Sequence, residues 1–375
     1  MVGGHVFGSK DKLIENWFWK YFDKENEFIL AKRNSSIFIE GQFISYPIEL
    51  NLREIKSQEA NKIIKEIVQL SNEHNQIKNY NSLGEFFVNN YGLTLYKIYF
   101  EKYNKKIWNK DPFSIPLNWL EGKLPMIRPL EILQQNILQT KYDDMPHSFF
   151  YYPKYGGSQF IVDRFSSKLT LRNCSVKKIK RINQMYQINN FKDQFSHVIY
   201  TGDIRKIYKV FDLKFLNSLG INDFYLDKIS KLESNSTSNM LCECDINDYS
   251  WVYIPSPKTV MHRIIMTGNF SPSNNSSSLD KKRITCVVEA SGNYTKEQLV
   301  SELKYLPFNL KPISYNFTKS SYIIQNEETR YLIKKIKNKL LKFNIFLVGR
   351  FAEWEYYNMD NAIKSSLDTI RLIAD

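Results

Sequence analysis

The chain has 375 residues, 43% hydrophobic and 15% aromatic, enough to bury a core across two or three domains and too apolar for a disordered polymer. Its net charge of +13 comes from lysines scattered among apolar residues, as in "SVKKIKRI" and "LIKKIKNKLLKF", a pattern of amphipathic segments that predicts no nucleic-acid partner. No run approaches the ~20 apolar residues of a membrane span, no secretory leader is visible, and Cys174, Cys242, Cys244 and Cys286 have neither redox nor zinc spacing, so a cytoplasmic protein with reduced thiols and no metal is expected.

The chain opens on "MVGGHVFGSK". A Gly-Gly pair lets a backbone bend tightly or approach a ligand closely. The loop nearly matches G-x-x-x-x-G-K-[ST], but Ser9 and Lys10 are in the wrong order and no strand precedes them to aim it. "DKLIENWFWKYF" has helical spacing. "EFILAKRNSSIFIEGQFISYPIEL" predicts strands with turns at Asn34-Ser35 and Glu40-Gly41. Two helical stretches follow, "SQEANKIIKEIVQLSNEH", with Ser57 as its N-cap, and "SLGEFFVNNYGLTLYKIYFEKYNKKIW". Prolines in "KDPFSIPLNWLEGKLP" close that block.

"HSFFYYPKYGGSQFIVDRFSSKL" sets a second Gly-Gly between an aromatic strand and a helix. "LTLRNCSVKKIKRINQMYQI" and "SHVIYTGD" predict further strands, and residues 206–320 short strands alternating with loops. "YLIKKIKNKLLKFN" is a helix. "IFLVGRFAEWEYYNMDNAIKSSLDTIRLI" is a strand, a Gly349-Arg350 turn and a last helix starting near Asn358-Met359-Asp360. The amides and positive dipole end of that start suit a phosphate or an electron-rich ring edge; equally, Asn358 or Asp360 caps them.

Motifs exclude several chemistries. No G-x-G-x-x-G occurs, so a complete dinucleotide-binding βαβ unit is not written here. There is no G-x-S-x-G and no H-E-x-x-H, and His5, His74, His147, His197 and His262 are dispersed. Glycine turns, tyrosines and arginines remain, which suit an enzyme whose cofactor carries the chemistry.

Taken together, "GGHVF", "YYPKYGGSQFIVDRF", "HVIYTGDI" and "GRFAEWEYYNMDNAI" resemble the flavin-dependent UDP-galactopyranose mutase group, within the wider amine-oxidase and protoporphyrinogen-oxidase-like flavoproteins. "YGLTLYKIYFEKYNKKIWNKDP" is similar to that family's helical segment, and "WVYIPSPKTVMHRII" to its substrate strand ending in an arginine. The resemblance spans nearly the whole chain. It implies an α/β fold with a discontinuous, Rossmann-like FAD-binding domain whose N-terminal βαβ unit is missing, a β-rich substrate domain and a helical insertion domain. The implied boundaries are 1–27 (remnant of the FAD-binding domain), 28–51 (strands of the substrate domain), 52–145 (helical domain), 146–205 (FAD-binding domain), 206–320 (substrate domain) and 321–375 (FAD-binding domain, C-terminal part).

The resemblance also implies a site. FAD, reduced for mutase chemistry, would be bordered by Gly3, Gly4 and His5, approached through Gly156 and Gly157, and met by Gly349, Arg350, Tyr357, Asn358 and Met359. Arg263 would clamp a substrate diphosphate, since a guanidinium matches phosphate oxygens bidentately. Tyr322, in "SSYII", would face the substrate; with Arg263 and His5 it completes the implied catalytic set. Tyr322 and Tyr357 read equally well as core aromatics. The family usually carries a threonine–arginine pair where this chain has Met261-His262-Arg263, so a galactose substrate is not implied. The implied function is flavin-mediated ring contraction or isomerisation of a nucleotide sugar for surface polysaccharide synthesis. The alternatives are an FAD-dependent oxidoreductase of amine-oxidase type and a relic that binds no flavin. A homodimer is left open.

Overall fold

The computed structural model describes residues 4–73, 80–117, 126–139, 148–276 and 279–374. Gly3, His74 and His147 lie outside them. The architecture is mixed α/β, divided into two units. The first joins Met1–Gly8, Trp19–Val162 and Asn235–Ser321; the second joins Ser9–Phe18, Asp163–Ser234 and Tyr322–Asp375.

The first unit is built on a seven-stranded sheet. Its strands lie in the order Lys311–Ile323, Ser234–Asp245, Arg283–Ser291, Met261–Ile265, Trp251–Tyr253, Ser35–Ile39, Gln42–Ser45. Trp251–Tyr253 pairs parallel with Ser35–Ile39, against antiparallel pairing on either side. The edge hairpin turns through Glu40 and Gly41, both at positive φ (50° and 86°), as a two-residue turn matching strand twist requires. The sequence predicts short strands across 206–320, yet Ser234–Asp245 has 12 residues, Arg283–Ser291 has 9 and Lys311–Ile323 has 13. For Arg283–Ser291 the reason is burial. Eight consecutive residues from Ile284 are buried, so the strand lacks the polar alternation that marks its extent in sequence. Met240, Cys242, Ile264, Cys286 and Val288 form that core, and Cys286 faces Cys242 across the pair as a free thiol.

Helices Ser57–Glu73, Leu83–Tyr91, Glu101–Trp108 and Pro129–Leu138 complete the unit. Glu101–Trp108 follows directly on a wide π turn at Tyr96–Phe100. Such a turn adds a residue to the helical repeat and re-aims the side chains after it. Tyr99 and Tyr103 come to stack at 5.5 Å across it.

In the second unit, Ile345–Leu347 pairs parallel with Val198–Tyr200, and helices Glu327–Leu341 and Met359–Ala374 flank the later strand in sequence. The packing around this strand pair is apolar: Val198, Ile336, Leu340, Ile345, Leu347 and Trp354 share one core. Of the strands expected in "LTLRNCSVKKIKRINQMYQI", only the hairpin Ile179–Ile182 with Met185–Ile188 forms. Leu169 and Leu171 are exposed, so the preceding stretch has no apolar face to lay on a sheet. Among the described residues no helix is long and apolar enough to cross a membrane.

Candidate functional site

In the first unit the Gly4-His5 loop lies on the sheet. A Cβ at Gly4 would stand 2.6 Å from Ile265 Cγ2 and 3.2 Å from the Trp251 indole nitrogen, so only glycine allows this approach. Two residues on, Phe7 exchanges backbone hydrogen bonds with Tyr151 at 3.0 and 2.7 Å. The Ser158 hydroxyl donates to the His5 carbonyl at 2.7 Å. That serine follows Gly156 and Gly157, both at positive φ (73° and 59°), so the second Gly-Gly turn is tied to the first loop.

Trp251 opposes Ile265, and Tyr253 opposes Arg263, in the antiparallel register. Directly opposed residues share a face, and residues two apart along a strand share it too. Gly4, Trp251, Tyr253 and Arg263 therefore occupy one side of the sheet. Arg263 donates from Nε (2.9 Å) and Nη2 (2.7 Å) to Oε1 of buried Glu289. The register slips between Met261 and Arg263, and His262, the extra residue of this bulge, reaches the same oxygen through Nε2 at 3.1 Å. His262 is fully buried, and burial holds its pKa below the ordinary imidazole range.

Three residues that sequence reasoning missed stand around Tyr253, the residue opposite Arg263. Arg33 donates from Nη2 to the Tyr253 hydroxyl and from Nε to Ser35 Oγ at 2.8 Å, with its guanidinium 5.1 Å from the Tyr46 ring and 5.4 Å from Trp251. Tyr103 meets Tyr253 edge-on at 5.4 Å. Arg33, Tyr46 and Tyr103 are each enclosed by protein atoms yet keep accessible surface, the condition of side chains lining a cleft. Lys106 donates to the carbonyls of Ile254, Ser256 and Met261 at 2.7, 3.0 and 2.5 Å, using all three ammonium protons to fasten the loop between the Tyr253 and Arg263 strands. Burial pulls its pKa down to about 7.

Glu49 is buried within electrostatic reach of Tyr46, and burial pushes its carboxyl from 4.5 up to about 7. The folded chain thus keeps a proton there between those values that the unfolded chain has lost. Stability falls as pH rises through this window, and the loss is complete above it. Glu49→Gln is expected to match wild type near pH 4.5 and to exceed it by about 3 kcal/mol near pH 8. Urea midpoints measured across that range check this.

In the second unit the strand Ile345–Leu347 runs into Gly349, at φ +90°, and a Cβ there would meet no heavy atom within 4 Å. The turn is pinned by buried Glu353, which accepts from the Gly349 amide (2.9 Å), Lys337 Nζ (2.6 Å) and the Ser365 hydroxyl. Arg350 donates from Nε to the Tyr357 carbonyl at 3.0 Å and lies 4.8 Å over the Tyr356 ring. Tyr356, which sequence reasoning passed over in favour of Tyr357, stacks on buried Tyr322 at 5.9 Å and 25°. Asn358 and Met359 bring the chain into the 16-residue helix Met359–Ala374. In its first turn, buried Oδ1 of Asp360 has no hydrogen-bond partner.

These features fit a flavin. Open space over a glycine at a strand's C-terminal end, next to a helix start, is where α/β sheets take cofactors. The unmatched carboxylate oxygen of Asp360 asks for a donor such as a ribityl hydroxyl or a ring N–H.

No family model matches the chain. Among curated proteins, the dTDP-fucopyranose mutase of Escherichia coli is 23% identical over 382 residues, covering 99% of this chain and 84% of that protein. A crystal structure of reduced UDP-galactopyranose mutase superposes with a TM-score of 0.83 at 17% identity, over 99% of this chain and 82% of that one. A protein described as a protoporphyrinogen oxidase, from Exiguobacterium sp. 255-15, gives a TM-score of 0.69 at 12% identity, over 99% and 86%.

Proposed function

For a chain with the fold of the UDP-galactopyranose mutase-like flavoprotein superfamily, we propose a flavin-dependent enzyme that isomerises a nucleotide sugar between its pyranose and furanose forms. The observation that carries this reading is the Gly4 loop and the anchored Arg263 guanidinium on one face of one sheet. Gly349, Arg350, Tyr357, Asn358 and Met359 of the second unit would hold FAD. Bound and reduced, FAD would supply nucleophilic chemistry toward the sugar.

The protein's own part is binding and charge. Arg263 neutralises the diphosphate as it leaves, and its pairing to Glu289 sets the guanidinium before the substrate arrives, so no reorganisation is needed at the moment of reaction. Arg33 adds a second positive charge to the cleft, and Tyr103 and Tyr253 give it apolar faces with polar tips that can orient a sugar. The relative's substrate makes a dTDP-linked 6-deoxysugar the first candidate and UDP-galactose the second. An oxidase is the second reading, favoured by the match to the Exiguobacterium protein.

The test is an absorbance spectrum of the purified chain after incubation with FAD and gel filtration, followed by assay of the dithionite-reduced protein with dTDP-fucose and UDP-galactose. A retained, shifted flavin band and a furanose product are expected. Retained flavin without product from either sugar leaves the oxidase reading. No retained flavin refutes both and leaves a relic.

A further inference from the structure

The cleft leaves one residue unused. His262 is wholly buried, so it does not touch a ligand, yet it is a polar ring set among groups that carry charge. Its surroundings are Glu289, Arg263, Lys106 and Tyr103, the last with its ring 6.2 Å away at 67°. Only one of its two nitrogens is used: Nε2 meets Glu289, while buried Nδ1 has no hydrogen-bond partner. A ring kept for packing alone would be cheaper as an apolar side chain, since a buried polar atom without a partner destabilises the fold.

We propose that His262 is a positioning residue that acts through Glu289 to fix the direction of the Arg263 guanidinium toward a nucleoside diphosphate. This rests on the nucleotide-sugar reading above and names how that site is aimed. A carboxylate rotates about its last torsion with little preference, so a glutamate alone can offer either oxygen. Here one oxygen, Oε1, accepts from Arg263 Nε, Arg263 Nη2 and His262 Nε2 at 2.9, 2.7 and 3.1 Å. With the buried imidazole also holding that oxygen, the guanidinium plane has one orientation. A long side chain that is ordered before binding loses less freedom when the ligand arrives.

The bulge is what makes the arrangement available. In regular alternation, consecutive residues point to opposite faces of a sheet. The slip between Met261 and Arg263 sets both His262 and Arg263 opposite Glu289, so both reach the same carboxylate oxygen. The residue preceding the arginine thus sets where the arginine points without contacting what it binds.

The assignment makes a chemical prediction about which replacement restores function. The glutamine side-chain nitrogen takes the place of imidazole Nε2, and the asparagine nitrogen that of Nδ1. The experiment is calorimetric titration of the full chain with UDP, dTDP and inorganic pyrophosphate. Expected is a loss of affinity of about tenfold in His262→Ala and His262→Asn, and of about twofold or less in His262→Gln. In an Arg263→Ala background the same His262→Ala change should cost under about twofold, because nothing remains to be aimed. Far-ultraviolet spectra and urea midpoints of His262→Gln and His262→Asn serve as the folding control.

Equal losses in the alanine, asparagine and glutamine variants overturn the proposal, as does an undiminished loss in the Arg263→Ala background. Wild type that ignores UDP and dTDP refutes the nucleotide-sugar reading itself and the inference with it. Wild type that binds both, with Arg263→Ala unchanged, refutes only the aiming role.

Discussion

Arg263→Ala is expected to lower nucleotide-sugar turnover by about 10²- to 10³-fold while leaving flavin retention near the wild-type level. The size has two sources. The developing negative charge on the diphosphate loses a charge-assisted, bidentate partner. Buried Glu289 also loses both guanidinium bonds, and a buried carboxylate left without its cation is costly. Arg263→Lys separates the two contributions. It keeps the charge near Glu289 but has no planar fork, so stability should largely return while turnover stays low. The measurement is steady-state turnover of the reduced enzyme alongside a urea midpoint for each variant. Turnover within threefold of wild type in Arg263→Ala would remove this residue from the chemistry.

The largest stability effect is expected at Trp354, where Trp354→Ala should destabilise the second unit by about 3–5 kcal/mol. Its side chain is completely buried, with the indole nitrogen donating to the Ile324 carbonyl at 3.1 Å. The Arg205 guanidinium lies 4.7 Å over the ring, itself held by Asp203 at 2.8 Å. Truncation opens a large cavity and removes the face on which that cation rests. The backbone adds a diagnostic detail. Trp354 sits at φ +51°, a conformation that suits glycine better than alanine. Trp354→Gly should therefore be no less stable than Trp354→Ala, the reverse of their order in a helix. Chemical denaturation followed by far-ultraviolet circular dichroism reads both. A loss below 1 kcal/mol in Trp354→Ala would show that the core does not depend on this ring.

Much of the fold is legible because its helices repeat at 3.6 residues. The final helix is expected near Asn358-Met359-Asp360 and starts at Met359, whereas Ser57, expected as an N-cap, is the first residue of the helix Ser57–Glu73 and Lys56 carries the cap carbonyl. The central strands are less legible, since burial on both faces erases alternation in "RITCVVEAS". Arg263 is reached through the resemblance of "WVYIPSPKTVMHRII", which puts it at a strand's end, whereas it stands in the middle of Met261–Ile265. Glu289 could not be singled out, although one carboxylate inside a fully buried run is itself a signal that a positive partner lies opposite. Arg33 and Tyr253 meet only through the parallel pairing of distant strands, which no local pattern announces. Tyr356 and Tyr357 are adjacent and chemically alike. Which of them stacks on Tyr322 is decided by the left-handed turn at Trp354 and the hold of Arg350 on the Tyr357 carbonyl, both visible only in three dimensions.

The parallel junction in the seven-stranded sheet has a kinetic consequence. The segment of Asn34 joins that of Ser250 across 216 residues of chain, and the hairpin Ser35–Ser45 forms the edge beyond this seam. During synthesis, at about 5–20 residues per second, that hairpin waits more than about 10 seconds for its neighbour to leave the ribosome. Its inner edge, with unpaired amides and carbonyls, is exposed for the whole interval. Closing so long a loop is also slow, because the entropy is lost before the contacts form. Early chains are thus exposed to edge-to-edge association at Ser35–Ile39, and the arrival of Trp251–Tyr253 ends that exposure and brings Arg33 to Tyr253 in the same step.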